Sequence, residues 1–351
     1  MGTFSLRYMR LWQRDRLLHV LLAMLVGTFT FSFALLRRVE EDSVPNLSIS
    51  ATGLLITLDM FLFLVFLDRS VHRLRPVAVA ALVAAGGRRA FESAVRSAAA
   101  PDAPELLQEP FETADEATLV VRSPRAGAIQ AFDTDGLVRF AREHECTLVL
   151  SHTVGDFVPA GATVLRAYGT AALGPSTERR LNSMIALGVE RTIEQDPAFA
   201  VRIMVDIAIK ALSPAVNDPT TAVQVINHLG ETLRVIGSTD FQGGRDGGAT
   251  RSRVLIPARR WEDYLALGVT EIREYGASSI QVVRRLRAML EELHGAVRPE
   301  RRAALEEELA RLDADVERTF GVSSDADRAT EADHQGLGGA TALERPNVLA
   351  R

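Results

Sequence analysis

Two apolar runs near the N-terminus constrain the fold of this chain more than any other feature. Residues 17–36 contain no Asp, Glu, Lys or Arg, and residues 48–67 contain only Asp59. A helix that spans a bilayer needs about 20 predominantly apolar residues, and each run has that length. A second run follows the first at once, and no small-residue cleavage site separates them, which argues against a signal peptide. The sequence therefore predicts a transmembrane hairpin with spans at about 17–36 and 48–67.

The arginines around the two runs predict the orientation of the hairpin. Four precede the first run, two lie between the runs and three follow the second: Arg7, Arg10, Arg14 and Arg16; Arg37 and Arg38; Arg69, Arg73 and Arg75. Basic residues favour the cytoplasmic side of a membrane. We therefore expect a multi-pass protein of the cell membrane with both termini in the cytoplasm. Cys146 is the single cysteine, so no intramolecular disulfide can form, and this suits a reducing compartment.

Asp59 is a candidate intramembrane site because it lies near the middle of the second predicted span. Charged groups are costly at that depth, and their presence suggests a function. Thr28 and Ser32, spaced by four on the antiparallel partner, lie at a similar depth. One interpretation is a protonated Asp59 that clamps the two helices by hydrogen bonds to these hydroxyls. The other is a proton or ion relay.

The predicted fold class is a membrane α-helical hairpin followed by a soluble α+β, mainly helical cytoplasmic domain. The spacing of apolar, Gly, Pro and acidic residues divides the chain into five parts. They are the hairpin with a membrane-proximal helix (1–87), a linker (88–117), a small α+β or barrel-like module (118–172), a helical domain (173–320) and a disordered tail (321–351).

Two Asp-Pro pairs, Asp196-Pro197 and Asp218-Pro219, are start signals for helices. Asp is a favourable N-cap, and Pro suits the first helical position because its missing N–H group would be unpaired there. The pairs predict helices from Asp196 to about Leu212 and from Asp218 to about Ile236.

The most distinctive stretch runs from Asp206 to Ala222, DIAIKALSPAVNDPTTA. It resembles the signature DxAxxALSPxxNDPxTA of an uncharacterised bacterial family of predicted membrane proteins, a domain of unknown function. GAIQAFD, GDFVPAG, ERTIEQDPAF and RRWEDYL are further segments similar to that family. The resemblance implies membrane localisation and this architecture but no activity. Members carry further spans before the part that starts here, which implies a truncated copy or a start assigned too late.

Five polar residues of this stretch form a candidate pocket at a corner between two helices: Asp206, Lys210, Ser213, Asn217 and Asp218. Their side chains and exposed backbone N–H groups could hold an anion or water. The alternative is structural, because capping of the second helix and ion pairing along the first also account for these residue types.

The sequence contains no motif for catalysis, for a cofactor or for a metal, so we expect a protein that is not an enzyme. A net charge of -5 gives no sign of nucleic-acid binding. The first hypothesis is a noncatalytic sensor or scaffold, anchored in the lipid bilayer and assembled as a homo-oligomer, with an unknown small-molecule ligand. The second is a subunit of an ion channel or transporter that uses Asp59, which would also require an oligomer.

Overall fold

The computed structural model describes residues 16–37, 46–73, 75–98, 104–107, 116–169, 175–240, 253–321 and 323–337. The chain divides into two compact units, Met1–Val79 and Ala80–Arg351, each of which is described by itself. Two long apolar helices precede a mainly helical domain with β-sheet, so the predicted fold class is confirmed. Arg7, Arg10, Arg14 and Arg38, from which the orientation is predicted, lie outside the described residues.

Helices α1 (Arg16–Leu36) and α2 (Asn46–Arg73) form the predicted hairpin and pack against each other. Only 11% and 6% of the most apolar window of each helix is buried within the chain. A core helix of a soluble protein would be mostly buried, whereas large side chains such as Phe29, Leu54 and Phe61 are 62–72% exposed here. This outward apolar surface suits contact with lipid.

Several hydroxyl groups of the hairpin are bonded within their own helices. Four of them donate to the carbonyl oxygen four residues earlier at 2.7–2.8 Å: Thr30, Ser32, Thr52 and Thr57. Such bonds satisfy a hydroxyl group where no water is available, so these polar residues are compatible with a bilayer interior.

Helix α3 extends over Pro76–Ala98, beyond the membrane-proximal segment and into the predicted linker. The first predicted part ended at Gly87, but the helix continues through Gly86 and Gly87, which allow close packing. A Cβ atom on Gly87 would lie 2.5 Å from the Cβ atom of Ala200, and one on Gly86 would lie 2.7 Å from Ile193 Cδ1. The glycines therefore mark a helix contact and not a helix end.

Two sheets are formed by eight short strands of the described residues. These strands are β1 (Glu105–Leu107), β2 (Leu119–Arg122), β3 (Gly127–Phe132), β4 (Thr147–Leu150), β5 (Phe157–Val158), β6 (Thr163–Tyr168), β7 (Ile185–Gly188) and β8 (Val254–Pro257). The five-stranded sheet has the order β1-β8-β4-β6-β2, and the three-stranded sheet has the order β5-β3-β7. Strand β8 is parallel to β1 and β4, and the other pairs are antiparallel. The sheets thus extend beyond the module predicted at 118–172. Strand β1 comes from the predicted linker, and β7 and β8 come from the predicted helical domain.

Two short helices flank these sheets, α4 (Thr134–Glu143), which Asp133 caps through Gly136 N, and α5 (Pro175–Ser183). Phe140 on α4 is fully buried with Leu148 and Leu165 of the sheet. Burial of several large apolar side chains, at about 1.5–3 kcal/mol each, supplies the main stabilisation of this α+β core.

The helical part contains α6 (Pro197–Ala211), α7 (Pro219–Ser238), α8 (Trp261–Gly276), α9 (Ile280–Ala296) and α10 (Arg302–Phe320). Asp196 accepts a hydrogen bond from Phe199 N at 3.1 Å, and Asp218 accepts one from Thr221 N at 3.0 Å. Both Asp-Pro pairs therefore cap helices, as the sequence predicts. Met204 on α6 and Leu229 on α7 are fully buried in the core between the helices.

Part of the tail predicted to be disordered is ordered. Helix α11 (Ser324–Ala329) and the segment after it pack on α9. Arg284 Nε donates to Glu331 O at 3.2 Å, and Gln281 Nε2 donates to Gly336 O at 2.7 Å. The polar composition of this segment predicted disorder. Side chains of α9 hold the segment in place by hydrogen bonds to its backbone carbonyl oxygens, and such bonds leave no hydrophobic pattern in the sequence. Residues 338–351 of that tail and residues 241–252 lie outside the described residues.

Candidate functional site

A cavity of about 230 Å³ lies within the second unit, between the last turns of α3, the end of β8, the start of α6 and the start of α8. Most of its wall is apolar, including Phe91, Leu106, Phe132, Val154 and Ile256. Small-molecule sites are concave, mostly apolar and provided with a few placed polar groups. This cavity has that character, and its polar groups gather around Asp196.

Asp196 combines a structural role with an unusual environment. Its Oδ1 caps α6, but its Oδ2 has no hydrogen-bond partner among the described residues although the residue is only 3% exposed. Burial raises the pKa of the Asp196 carboxyl group, and the hydrogen bond from Phe199 N and the charge of Arg259 oppose that rise. A buried acceptor without a partner costs about 1–3 kcal/mol, so the Asp196 carboxyl group is retained at a cost to stability.

Gly155, from the segment GDFVPAG, makes room for this carboxylate. It has a φ of +93°, and a Cβ atom there would lie 2.1 Å from Asp196 Oδ2. Any other residue would both strain the backbone and collide with the oxygen. The next residue, Asp156, accepts from Thr153 N at 3.0 Å and lies 3.9 Å from Arg259.

Tyr264 in the first turn of α8 also lines the cavity and is 8% exposed. Burial and the charge of Asp196 raise the pKa of its phenol group well above the usual value. Its hydroxyl group is therefore neutral at physiological pH and able to donate or accept a hydrogen bond. Trp261, one turn earlier, donates from Nε1 to Arg301 O at 3.2 Å and fixes the start of α8.

Hydrogen bonds between the Gln195 side chain and the Phe132 backbone hold the segment before Asp196 against the sheet. The N–H group of Phe132 donates to Gln195 Oε1 at 3.1 Å, and Gln195 Nε2 donates to Phe132 O at 3.4 Å. This pair connects the end of β3 to the start of α6. Together with the Gly87 contact of α3, it positions the cavity wall around Asp196.

The five residues of the predicted polar pocket lie along α6 and in the turn that follows, and none of them lines this cavity. Ser213 Oγ donates to Lys210 O at 2.7 Å, and Asn217, which is exposed, has a φ of +48°. Asp218 accepts from both Thr221 N and Thr221 Oγ1, and these bonds lower the pKa of its carboxyl group.

Asp206 on α6 takes part in an ion-pair network. Arg202 donates to Asp206 at 2.5 and 2.7 Å and also binds Glu271 of α8. The hydrogen bond to Glu271 and the pair with Asp206 raise the pKa of Arg202 above its usual value. The local geometry of this stretch thus matches the structural alternative of capping and ion pairing, and a ligand role stays a prediction.

In the hairpin, Asp59 and Thr28 are both buried, at 5% and 7% exposure. Asp59 Oδ1 and Thr28 Oγ1 have no hydrogen-bond partner within the described residues. The expected hydrogen bond from Ser32 to Asp59 is absent from the described part, because Ser32 Oγ donates to Thr28 O at 2.7 Å. The two candidate residues therefore face the helix contact without the predicted clamp.

Within the described ranges, no group of three or more His, Cys, Asp or Glu side chains is arranged to hold a metal ion. The candidate site is the cavity of about 230 Å³ whose lining includes the buried residue Asp196.

The model of the family described as "Predicted membrane protein (DUF2254)" matches residues 1–292 of the chain. The chain belongs to this family. The family predicted from the sequence is thereby confirmed, and with it the assignment to predicted membrane proteins of unknown function. Segments quoted for the resemblance contribute Phe132, Asp196, Arg259 and Tyr264 to the cavity wall and Gly155 to the space beside Asp196.

Mycobacterial relatives of this DUF2254 member cover nearly its whole length. It is 30% identical over 365 residues to "Uncharacterized protein MT1328" of Mycobacterium tuberculosis (strain CDC 1551 / Oshkosh), an alignment that covers 99% of this chain and 68% of the relative. It is 29% identical, with the same coverage, to "Uncharacterized protein Mb1321c" of Mycobacterium bovis. No solved structure matches the chain. These relatives extend the family without adding an activity.

Proposed function

We propose that this chain is a noncatalytic, membrane-anchored sensor whose soluble domain binds a small molecule in the Asp196 cavity. The observation that carries the proposal is a cavity of about 230 Å³ with a mostly apolar wall, whose lining includes Asp196, a residue that is only 3% exposed. A purely structural N-cap needs no second carboxylate oxygen, since Ser or Thr caps a helix as well.

Helix α3 supports a sensing role because it follows the second span in the chain and its later residues line the cavity. It begins at Pro76, soon after α2 ends at Arg73, and its later residues Ala90, Phe91 and Ala94 line the cavity. A ligand that changes the packing of these residues acts on a helix that is covalently continuous with the second span. We further propose that the protein works as a homo-oligomer with its soluble domain in the cytoplasm, as the flanking arginines favour.

The test uses the full-length protein in lipid nanodiscs and two variants, Asp196→Ser and Asp218→Ser. Both replace an Asp-Pro cap by another good cap, but only Asp196 lines the cavity. In a thermal-shift screen of metabolites, we expect at least one compound that stabilises the wild type and Asp218→Ser but not Asp196→Ser. The same compound should change chemical crosslinking of the protein in membranes.

The proposal fails if no compound distinguishes the wild type from Asp196→Ser. A compound that binds without any change in crosslinking, to a protein that stays monomeric, would contradict the oligomeric sensor while leaving a binding site.

A second candidate function is a subunit of an ion channel or transporter. The observation in its favour is the pair Asp59 and Thr28, buried in the hairpin with unpartnered oxygens, since polar groups at that depth often serve transport. Ion flux into vesicles containing the protein, reduced in Asp59→Asn, is the expected result. Absence of flux, or flux that Asp59→Asn leaves unchanged, would contradict a transport role for this carboxylate.

A further inference from the structure

We propose that the cavity binds a small uncharged organic molecule, with a carbonyl oxygen that accepts hydrogen bonds from Arg259 and Tyr264 and an apolar body against Phe91, Phe132 and Ile256. This ligand class rests on the sensor function proposed above. Three observations carry it: two accessible donors without an acceptor, a surplus of carboxyl groups around them, and an apolar wall.

The hydroxyl group of Tyr264 is a donor that the described protein groups leave free. Tyr264 lines the cavity and is 8% exposed, and no hydrogen bond within the described residues involves its hydroxyl group. Tyr264 Oη is not one of the fully buried side-chain atoms that lack a partner, whereas Asp196 Oδ2 is. The phenol oxygen therefore keeps accessible surface that a ligand in the cavity can reach. Because this phenol group is neutral at physiological pH, it can donate a hydrogen bond.

Arg259 is the second donor. It lines the cavity, its side chain is 32% exposed, and within the described part of the chain its guanidinium group makes no hydrogen bond and one ion pair, with Asp156 at the long distance of 3.9 Å. The amide of Gln195, which also lines the cavity, is instead engaged with the Phe132 backbone. Burial and the charge of Asp196 raise the pKa of Tyr264 and the charge of Arg259 opposes that rise, so the two donors lie close enough to serve one acceptor.

The charged groups around these donors disfavour an ionic ligand. Four carboxyl groups and two guanidinium groups lie in the lining or act on it: Asp156, Glu194, Asp196 and Asp263, and Arg191 and Arg259. A ligand carboxylate would meet this negative surplus. A ligand ammonium group would lack an accessible acceptor in the interior, because Asp196 Oδ2 is fully buried beside Gly155 and Glu194 is exposed. An uncharged carbonyl group satisfies both donors without either penalty.

The wall and the volume of the cavity define the rest of the ligand. Two aromatic rings, Phe91 and Phe132, and aliphatic side chains such as Val154 and Ile256 offer contact to an apolar body. The volume of about 230 Å³ is below the roughly 300–1,000 Å³ of sites for drug-sized molecules. A short alkyl or arylalkyl ketone, ester or amide fits these surroundings.

The experiment is calorimetric titration of the full-length protein in nanodiscs at pH 7, with empty nanodiscs as the blank for partition into lipid. The probe is 4-phenyl-2-butanone, and two ions of similar shape, 3-phenylpropionate and 3-phenylpropylammonium, are titrated in parallel. We expect the ketone to bind about tenfold or more tightly than either ion, because each ion loses its hydration without a matched partner in the cavity.

Two variants test the donors. Tyr264→Phe, which removes only the hydroxyl group, and Arg259→Met, which keeps the apolar stem, should each weaken ketone binding about three- to tenfold, the effect of one lost hydrogen bond. Tyr275→Phe is the control on the same helix, since Tyr275 is 55% exposed and does not line the cavity. Arg234→Met, at an exposed arginine of α7, is the control for the loss of a guanidinium group. Both controls should leave the ketone affinity unchanged.

The outcomes separate the ligand class from the proposed function. Equal or tighter binding of either ion, or ketone binding that neither Tyr264→Phe nor Arg259→Met weakens, would overturn the carbonyl assignment. If the ketone does not bind while a compound of the thermal-shift screen depends on Asp196, the ligand class is wrong and the sensor stands. If no screened compound depends on Asp196 and the ketone does not bind, both fail.

Discussion

Replacing Asp196 by Ser should stabilise the protein, although Asp196 caps a helix. Ser is as good an N-cap as Asp, so the hydrogen bond from Phe199 N can be kept. The substitution removes the unpartnered Oδ2, and a buried polar group without a partner costs about 1–3 kcal/mol. We therefore expect the free energy of unfolding to rise by about 1 kcal/mol, which shifts Tm upward by a few degrees.

Asp218→Ser is the matched control because it changes the other Asp-Pro cap of the chain. Both oxygens of Asp218 are bonded, to Thr221 N at 3.0 Å and to Thr221 Oγ1 at 2.6 Å. Ser can replace only the first bond. We expect a loss of about 0.5–1.5 kcal/mol, the net value of one hydrogen bond. The two substitutions should therefore move stability in opposite directions.

The pH dependence of these differences has opposite signs as well. The pKa of Asp196 is raised above its ordinary value of 3.8, so the folded protein binds the proton more readily than the unfolded chain. The advantage of Asp196→Ser is therefore largest near neutral pH and shrinks as pH falls through the raised pKa. The pKa of Asp218 is lowered from 3.8, so the advantage of the wild type over Asp218→Ser persists above that value and is lost as pH falls below it.

The assay is thermal unfolding of the full-length protein in detergent micelles, followed by tryptophan fluorescence in a Trp12→Phe background. Trp261, the other tryptophan, is 3% exposed and lies one turn before Tyr264 of the cavity. If Asp196→Ser lowers Tm as much as Asp218→Ser does, the unpartnered Oδ2 of Asp196 does not destabilise the protein. A difference in Tm between Asp196→Ser and the wild type that is independent of pH would also contradict this effect.

Two further predictions concern packing and a buried cation. Gly87→Ala should lower the free energy of unfolding by about 1–3 kcal/mol, since its Cβ atom would lie 2.5 Å from that of Ala200. The control Gly295→Ala, whose Cβ atom would meet no atom within 4 Å, should be neutral or slightly stabilising, and equal shifts of Tm for the two variants would contradict this. Arg301→Lys should lower the free energy of unfolding by about 1–3 kcal/mol, because the buried Arg301 side chain donates at 2.8 Å to two carbonyl oxygens at the end of α7. The control Arg234→Lys, at an exposed arginine, should change Tm little, and a similar loss for both variants would contradict the role of burial.

Local signals in the sequence predicted the hairpin and the starts of α6 and α7. The apolar spans and the two Asp-Pro caps each depend on residues close together in the chain. The first predicted part ended at Gly87, whereas α3 continues to Ala98, because a glycine that ends a helix and one that permits helix packing are identical in sequence. The parallel pairing of β8 with β1 and β4 joins segments over 100 residues apart and has no local signature.

The cavity illustrates the same limit for the site. Asp196 was predicted as a cap, and its second role appears only when Gly155, Arg259 and Tyr264 are brought around it from separate segments. The similarity of GDFVPAG, ERTIEQDPAF and RRWEDYL to one family was the available signal, since these segments meet at the cavity. The stretch DIAIKALSPAVNDPTTA instead predicted a polar pocket with Asp206 and its neighbours, whose side chains are largely engaged in capping and ion pairs.

The most direct test of the sensor is a structure of the full-length protein, in nanodiscs, with the strongest compound of the thermal-shift screen. We expect density for the compound inside the cavity, in contact with residues of its wall such as Phe91, Phe132 and Tyr264. Density for the compound elsewhere on the protein, or a cavity that remains free of the compound at saturating concentration, would contradict it.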